Sequence, residues 1–535
     1  MYDVHGHSLT ISHCIHQTWK TEDIPDPKEW PDSWKRLNPG WDYRLWTDSD
    51  LRGLVHDHYP ELEDLYLSYP NPVQRADMGR YLILHHCGGV YADLDTECVS
   101  PLDVIAQDTR VILAEEPIEH HHHATRLGLS RVIFNGVMAS PKGHPFWEHL
   151  IALLVRSRHA SGYVLESTGP VVLTSAVATF DEPDTLAIQS CHLFNPLTDQ
   201  GWRSTAVPFG DYAGHHICNH YWRGSWYRLP TSNRTTRMKR KLRKAQYNLT
   251  RGPFLGQMQL KKQINMSVLH RPVAPTDTNV SILIPVRDAE PFLDRCFALL
   301  LALDYPKDQL KIVFCEGDST DHTTEKLAEL ADKHRSEFRD IIVTRCVTGA
   351  PLDRSKRWLR ALQLARRSNL AKVRNHLIDR GIADDDHWAL WIDVDVCDYD
   401  SSVLKRLLAE RTKVVTPDCV LEWGGKSYDL NAFHDDGSAR DHTYYKYVKR
   451  GLFMPPVTYR QRRPLHALRC LERVPLSSVG GTMLLVHAAV HRAGVRFPEI
   501  PYDDLLETEG FGRSCRDFGV TPIGLPNVQI KHVKS

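Results

Sequence analysis

Residues 73–98 read VQRADMGRYLILHHCGGVYADLDTEC, and the fold follows from how this stretch divides. From Val73 to His86 the apolar residues Met78 and Leu82, with Tyr81 and Leu84 on a neighbouring stripe, recur as on a partly buried helix. Gly88 and Gly89 end it. Val90 to Asp95 then alternates small or apolar residues with polar ones, and this predicts a strand with Tyr91, Asp93 and Asp95 on one face. Asp77 and Arg80 are three apart and share a helix face. Two carboxylates aimed the same way repel unless a cation lies between them, and hard oxygen ligands suit manganese or magnesium better than zinc.

An Asp-x-Asp alone is weak, but the whole string is specific. Arg75-Ala-Asp77, Arg80-Tyr81, Gly88-Gly89, Tyr91 and Asp93-x-Asp95 resemble glycosyltransferase family 32. The resemblance implies that Asp77, Arg80 and Arg75 meet a donor sugar, and that Tyr91 with Asp93 and Asp95 holds a nucleotide diphosphate and its divalent metal. The plainer alternative is a buried Asp77/Arg80 ion pair capping an ordinary αβ unit.

Other segments extend that resemblance. Ile15-His16-Gln17-x-Trp19 closes a predicted first strand, placing Gln17 and Trp19 on the donor side, while His16 reads equally well as a core histidine. Asp42 to Asp48 is a predicted second strand. Asn135-Gly136 before Pro141–Phe146 matches the family's acceptor-side run, with Asn135 facing the donor. Thr168-Gly169-Pro170 starts a helix. His215 to Trp226, HHICNHYWRGSW, matches its closing signature, so His220, Ser225 and Trp226 are expected over metal and diphosphate. The four histidines 120–123 are expected in a solvated loop, since adjacent residues of an extended chain cannot all face one ion.

The 535 residues exceed one core, and two large domains are expected. Lys+Arg and Asp+Glu both number 66, so no global field draws the chain to nucleic acid. Mean hydropathy is −0.39, and no apolar run is long enough to span a bilayer. No export signal is legible, which places the expected location in the cytoplasm or at a membrane surface. The 12 cysteines show no zinc spacing and are expected as reduced core residues.

Tyr212 to Thr276 contains no acidic residue, and Arg234 to Lys244 is crowded with cations. A basic amphipathic helix here would either touch anionic lipid or dock across the domains. The expected layout is therefore a domain at 1–230, a basic, partly helical linker at 231–278, and a second domain at 279–535.

In the second half, Val280–Pro285 and a segment that runs from Leu310 and ends in small and acidic residues at Glu316 to Asp321 are predicted strands of a parallel nucleotide-binding sheet, with Pro285, Arg287 and Asp318 at the donor-side ends. His387 to Asp395 is a predicted buried central strand that ends in a second pair, Asp393 and Asp395. Arg366-Arg367, Ala371-Lys372-x-Arg374-Asn375, Trp391-x-Asp393-x-Asp395, Tyr428-Asp429-Leu430-Asn431, Val479-Gly480-Gly481, Glu507-Thr508-Glu509-Gly510-Phe511 and the close from Gly524 to His532 resemble glycosyltransferase family 62, the Anp1/Mnn9/Van1 mannosyltransferases. That resemblance implies a GDP-mannose donor contacted by Arg374 and Asp393, and manganese on Asp393, Asp395 and His532. Asp429, Glu507 and Glu509 are the candidate catalytic residues. Crowding of Glu507 and Glu509 beside Asp503 and Asp504 is expected to raise some of the carboxyl pKa values and suit a residue that accepts or shares a hydroxyl proton; the alternative is a charged helix start.

The expectation is thus two GT-A-like α/β domains in tandem, each with a mixed, mostly parallel sheet, binding a nucleotide sugar through manganese, or magnesium, and transferring a sugar with retention to a glycan or glycolipid. The first domain's donor is GDP-mannose or a UDP-sugar. The competing expectations make one domain a non-catalytic carbohydrate-binding or scaffold module, or make the acidic pairs a phosphohydrolase site.

Overall fold

The computed structural model describes residues 10–223, 263–349, 359–435 and 462–534, with short pieces at 238–239, 241–245, 437, 440, 442–456 and 459. The chain divides into two compact units, Met1–Thr231 with Ala467–Leu471, and Ser232–His466 with Glu472–Ser535.

In the first unit the six-stranded sheet has the order Asp42–Trp46, Cys14–Thr18, Gly89–Ala92, Ile133–Ser140, Val111–Glu115, Leu186–Gln189. Ile133–Ser140 runs against its neighbours and the other strands share one direction. Ile15, Val90, Ile112, Val137 and Ala187 form the core with Trp34. The helix Pro72–Cys87 packs closely because Gly79 has no side chain: a Cβ there would lie 2.9 Å from Leu51 Cδ1. Asn71 and Gln74 cap its start reciprocally, and Gly88, at φ +68°, ends it.

Gly89 is required for two reasons. Its φ is +91°, and an added Cβ would sit 2.4 Å from the Cys14 carbonyl oxygen of the adjacent strand. Gly89→Ala is therefore expected to cost roughly 3 kcal/mol or more. Urea unfolding checks this, and a loss under about 1 kcal/mol would contradict the close approach.

His16 is a core histidine. Trp46 Nε1 donates to its Nδ1 at 3.1 Å, and its Nε2 lies 3.0 Å from the Gly88 carbonyl oxygen. Burial lowers its pKa to about 4, so it is neutral in the folded unit. A folded pKa below the unfolded value, about 6.5, gives stability that is complete above the unfolded value and lost as pH falls toward the folded one. First-unit stability is expected to drop by on the order of 3 kcal/mol between pH 7 and 4 through His16. Denaturant titrations across that range should show a shallower slope for His16→Asn, and parallel slopes would refute the assignment.

The second unit has a nine-stranded sheet whose main path is Asp340–Arg345, Leu310–Glu316, Val280–Val286, Trp388–Ile392, Met483–His487, Val414–Val420, Ile523–His532, Val396–Tyr399. The first four are parallel, as expected of buried apolar strands. Met483–His487 and Val396–Tyr399 run antiparallel to their neighbours. One sheet face carries Ile282, Phe314 and Leu390 into a core with Phe297 and Leu404; the other buries Leu283, Val313 and Trp391 with Leu377 and Phe497. The α/β class with a mixed, mostly parallel sheet therefore holds in both units.

Ile264 and Leu269, assigned to the linker by sequence, are buried with Val490 and Val495 in the second unit. Of the cationic segment, Met238–Lys239 and Lys241–Ala245 are helical, with Met238 and Leu242 exposed; Arg234, Arg237 and Arg240 lie outside the described residues. No described helix is long and apolar enough to cross a membrane. The histidine tract departs from expectation. His122–Arg126 is helical, His120 pairs with Glu116 and Asp199, and His123 lies 3.1 Å from Glu166, so available carboxylates pull the tract into order.

Candidate active sites

Each acidic pair sits on a turn, which corrects the expected strand. Gly89–Ala92 stops before Asp93, and Thr96 donates through its backbone N–H, at 3.1 Å, and its hydroxyl, at 2.5 Å, to the Asp93 carbonyl oxygen, closing a tight reversal. In the second unit Val396 N–H donates to the Asp393 carbonyl oxygen at 3.1 Å in the same way. A strand would fix the two carboxylates by pleat alone; the turn sets them at the end of the parallel strands, where α/β sheets bind ligands.

In the first unit Arg80 organises the site. Its guanidinium lies 3.2 Å from Asp77 and 3.1 Å from Asp93, donates to the Asn135 carbonyl oxygen at 2.8 Å, and rests 4.7 Å from the Tyr91 ring centre. Asn135 Nδ2 and Thr168 Oγ1 donate to opposite oxygens of Asp77 at 3.1 and 3.0 Å. Tyr91 donates to Asp93 at 2.8 Å. Gln17 Nε2 donates to the Asp93 carbonyl oxygen at 3.2 Å and is itself held by Tyr43. Asp95 faces His220 Nε2 at 3.1 Å and accepts from the Arg223 backbone N–H at 2.9 Å. His220 reaches it because Cys218–His220 pairs antiparallel with Thr96–Cys98.

Asp93, Asp95 and His220 each offer a ligand atom, and these atoms lie within 4.8 Å of one another, the one such triad among the described residues. Carboxylate oxygens with one imidazole are a donor set that suits manganese. His220 Nδ1 is buried without a hydrogen-bond partner. The residues thus fit a hard divalent ion.

Burial pushes the Asp77 carboxyl up to about 7 against the pull of Arg80, and raises Asp93 for the same reason. Burial also opposes charge on Asp95, but the nearby His220 imidazole and its hydrogen bond outweigh it and bring Asp95 below the usual carboxylate value. Two adjacent carboxylates are therefore unequal, with Asp95 the more readily ionised.

Arg75 donates to the Tyr69 carbonyl oxygen at 2.7 Å, and Trp19 is half-buried with the Lys20 ammonium 5.6 Å from its ring. Ser225 and Trp226 lie outside the described residues. Trp222, missed by sequence reasoning, packs edge-on against His220 at 4.4 Å and donates to the Leu197 carbonyl oxygen.

The second unit repeats the construction. Arg374 Nη2 lies 3.1 Å from Asp393, its Nε 2.7 Å from Glu507, and it reaches the Gly481 carbonyl oxygen. Asp395 lies 3.0 Å from His532 Nε2, and Val396 pairs opposite His532 just as Thr96 pairs opposite His220. Tyr428 packs on His532 with ring centres 4.4 Å apart. Burial lifts Asp393 to about 7 against Arg374. Burial opposes protonation of His532, but the Asp395 hydrogen bond and charge outweigh it and raise its pKa.

Glu509 corrects an expectation. It is buried between Arg367 at 2.6 Å and Arg462 at 2.7 Å, and these cations overcome burial and hold its carboxyl below the ordinary value. Crowding with acids does not govern it, because guanidinium groups are interleaved with the acids: Arg374 on Glu507, Arg367 and Arg462 on Glu509, and Arg440 shared by Asp503 and Asp504. Glu507, at φ +54°, is bonded to Arg374 and Thr508. Asp429 accepts from Gly481 N–H and Thr482 Oγ1, both at 2.9 Å. Asp318 accepts from Thr348 and Gly349 and so shapes its own loop. Pro285 lies in a strand opposite Cys315, and Arg287 Nε is 3.7 Å from Asp288.

In both units the central guanidinium keeps one buried N–H group unpartnered, Nε of Arg80 and Nη1 of Arg374. Such donors are costly unless a ligand completes them.

Residues 28–112 match the family model described as a glycosyltransferase sugar-binding region containing the DXD motif, and residues 261–501 match the Anp1 family model. The chain is 36% identical over 187 residues to inositol phosphoceramide mannosyltransferase 3 of Schizosaccharomyces pombe, a match covering 32% of this chain and 48% of that protein. It is 27% identical over 276 residues to the mannan polymerase II complex anp1 subunit of the same yeast, covering 48% of this chain and 64% of that protein. The chain thus spans about half the length of the first curated relatives it matches. A mannosyltransferase from Pyrobaculum calidifontis, solved with GDP-Man and Mn2+, aligns at 15% identity and a TM-score of 0.28 over 55% of this chain and 68% of that one.

Proposed function

We propose that this chain, similar in its first part to DXD-motif glycosyltransferases and in its second to the Anp1 family, is a bifunctional, metal-dependent mannosyltransferase. One observation carries the proposal: the same device occurs twice. A helix arginine grips the first aspartate of each turn at 3.1 Å, and a histidine on the strand beside the turn grips the second at 3.1 and 3.0 Å. Packing alone does not call for the same arrangement of arginine, paired aspartates and histidine in both units.

Asp93, Asp95 and His220 would hold manganese in the first unit; in the second, Asp393, Asp395 and His532 are the corresponding residues, and their ligand atoms would have to draw together to share one ion. When bound, the ion would neutralise the diphosphate of a nucleotide sugar as negative charge grows on the leaving group. The protein groups position the sugar. The unpartnered N–H groups of Arg80 and Arg374 are free to donate to a diphosphate or sugar oxygen, and Asn135 and Thr168 hold Asp77 in one orientation. Asp429 and Glu507 keep the Gly480-Gly481 segment against Arg374. Retention of configuration needs no enzyme nucleophile if the acceptor attacks the face the phosphate leaves.

GDP-mannose is the donor proposed for the second unit and the first candidate for the other. The first unit's relative is named for inositol phosphoceramide and the second's for mannan, so a glycolipid and a mannan-like glycan are the proposed acceptors. The test is a donor screen with GDP-mannose, UDP-galactose, UDP-glucose and UDP-N-acetylglucosamine, each with manganese, read by mass spectrometry. Mannose addition from GDP-mannose alone is the expected result. Absence of transfer from every donor, with no calorimetric uptake of manganese and GDP, would overturn the proposal.

A further inference from the structure

Next to the first acidic turn, two cysteines face each other across a strand pair. Thr96–Cys98 and Cys218–His220 are antiparallel, with Thr96 opposite His220 and Cys98 opposite Cys218. Tyr221 N–H donates to the Asp95 carbonyl oxygen at 3.0 Å and Val99 N–H to that of Ile217 at 2.8 Å, which makes these the hydrogen-bonded positions of the ladder. By alternation, Cys98 and Cys218 occupy a non-hydrogen-bonded position, where Cα atoms stand about 4.5 Å apart and side chains are closest. That separation lies within the range a disulfide spans, about 4.4–6.8 Å.

We propose that Cys98 and Cys218 form a disulfide that fastens the strand carrying His220 to the strand leaving the Asp93-x-Asp95 turn. In the dithiol form each sulfur points elsewhere, Cys98 Sγ to the Ser100 carbonyl oxygen at 3.2 Å and Cys218 Sγ to that of Phe194 at 3.0 Å. Rotation about the two χ1 angles exchanges those weak contacts for the S–S bond. The Asn38 Nδ2 donor 3.7 Å from Cys98 Sγ loses nothing, because a disulfide sulfur still accepts.

The reaction is thiol–disulfide exchange with a small disulfide such as oxidised glutathione. One cysteine thiolate displaces a glutathione thiolate, the second cysteine displaces the other, and the two electrons and two protons leave as two glutathione thiols. Both cysteines are buried, with 2% and 0% of their surface exposed. No oxidant reaches them once the unit is folded, so the bond forms while the strands are still separating and closing. It acts as a staple on a long loop and requires an oxidising environment. The bond would hold His220 facing Asp95 whether or not the site transfers a sugar.

The test uses the full chain, refolded in a mixture of oxidised and reduced glutathione, then denatured, alkylated and digested. A peptide joining Cys98 to Cys218, lighter by two hydrogens than the separate peptides, is expected; both residues recovered alkylated would overturn the proposal. Melting supplies a second readout. Refolding with dithiothreitol throughout should lower the first unit's Tm by about 10 °C, and the Cys98→Ser/Cys218→Ser chain should not respond to reductant. A wild-type Tm indifferent to reductant, or a double variant that shifts as much as wild type, would also overturn it.

Discussion

An Asp95→Asn chain is expected to lose the first unit's product by about a thousandfold while keeping the second's, and Asp395→Asn to do the reverse. Asp95 is the carboxylate of its pair that ionises most readily, because His220 and the Arg223 N–H stabilise its charge. Asparagine keeps the shape and removes the charge. Under the proposed mechanism, losing a metal ligand that helps offset leaving-group charge would cost roughly 4 kcal/mol in the transition state, which is about three powers of ten in rate. Product mass for each variant, with GDP-mannose and manganese, separates the possibilities. An unaltered product pattern from either variant would give that unit a non-catalytic, carbohydrate-binding role.

Arg374→Met should be the most damaging single change to stability in the second unit. Arg374 is 1% exposed and joins Glu507, Asp393 and the Gly481 carbonyl oxygen. Methionine fills much of the volume but leaves Glu507 buried without its guanidinium, and an uncompensated buried charge of this kind costs about 3–5 kcal/mol. Adding Glu507→Gln removes that charge, so the Arg374→Met/Glu507→Gln chain is expected to recover part of the loss. Urea unfolding of wild type, Arg374→Met, Glu507→Gln and the double variant completes the double-mutant cycle. Additive losses would mean that the two side chains do not act as a pair. Activity should stay low in both variants, because Asp393 has lost its partner and the unpartnered Nη1 donor is gone.

Much of the site was legible from residue pattern. The helix bearing Asp77 and Arg80 reads from apolar spacing and its glycine stop, and their ion pair follows from a separation of three. His220 and His532 came from resemblance, since nothing in local pattern brings a residue more than 120 positions away beside Asp95. Thr168 and Tyr43 were missed as site-holding groups because hydroxyls at a helix start or in a strand are common and carry no spacing signal. Arg462 was missed because its partner Glu509 is distant in sequence. The expectation for Glu509 failed for the same reason. Sequence proximity displayed the acids and hid the arginines that neutralise them.

From sequence alone came the alternation of apolar strands and amphipathic helices, the acidic pairs, and the glycines at 88 and 89. These are local properties, set by side-chain periodicity and allowed backbone angles, and they survive whatever the rest of the chain does. Tertiary structure decided that each acidic pair lies on a turn, that one aspartate of each pair faces arginine and the other histidine, and that Cys98 faces Cys218. Those outcomes depend on strand register and on which distant charge is buried beside which, and both are fixed only when the sheets close.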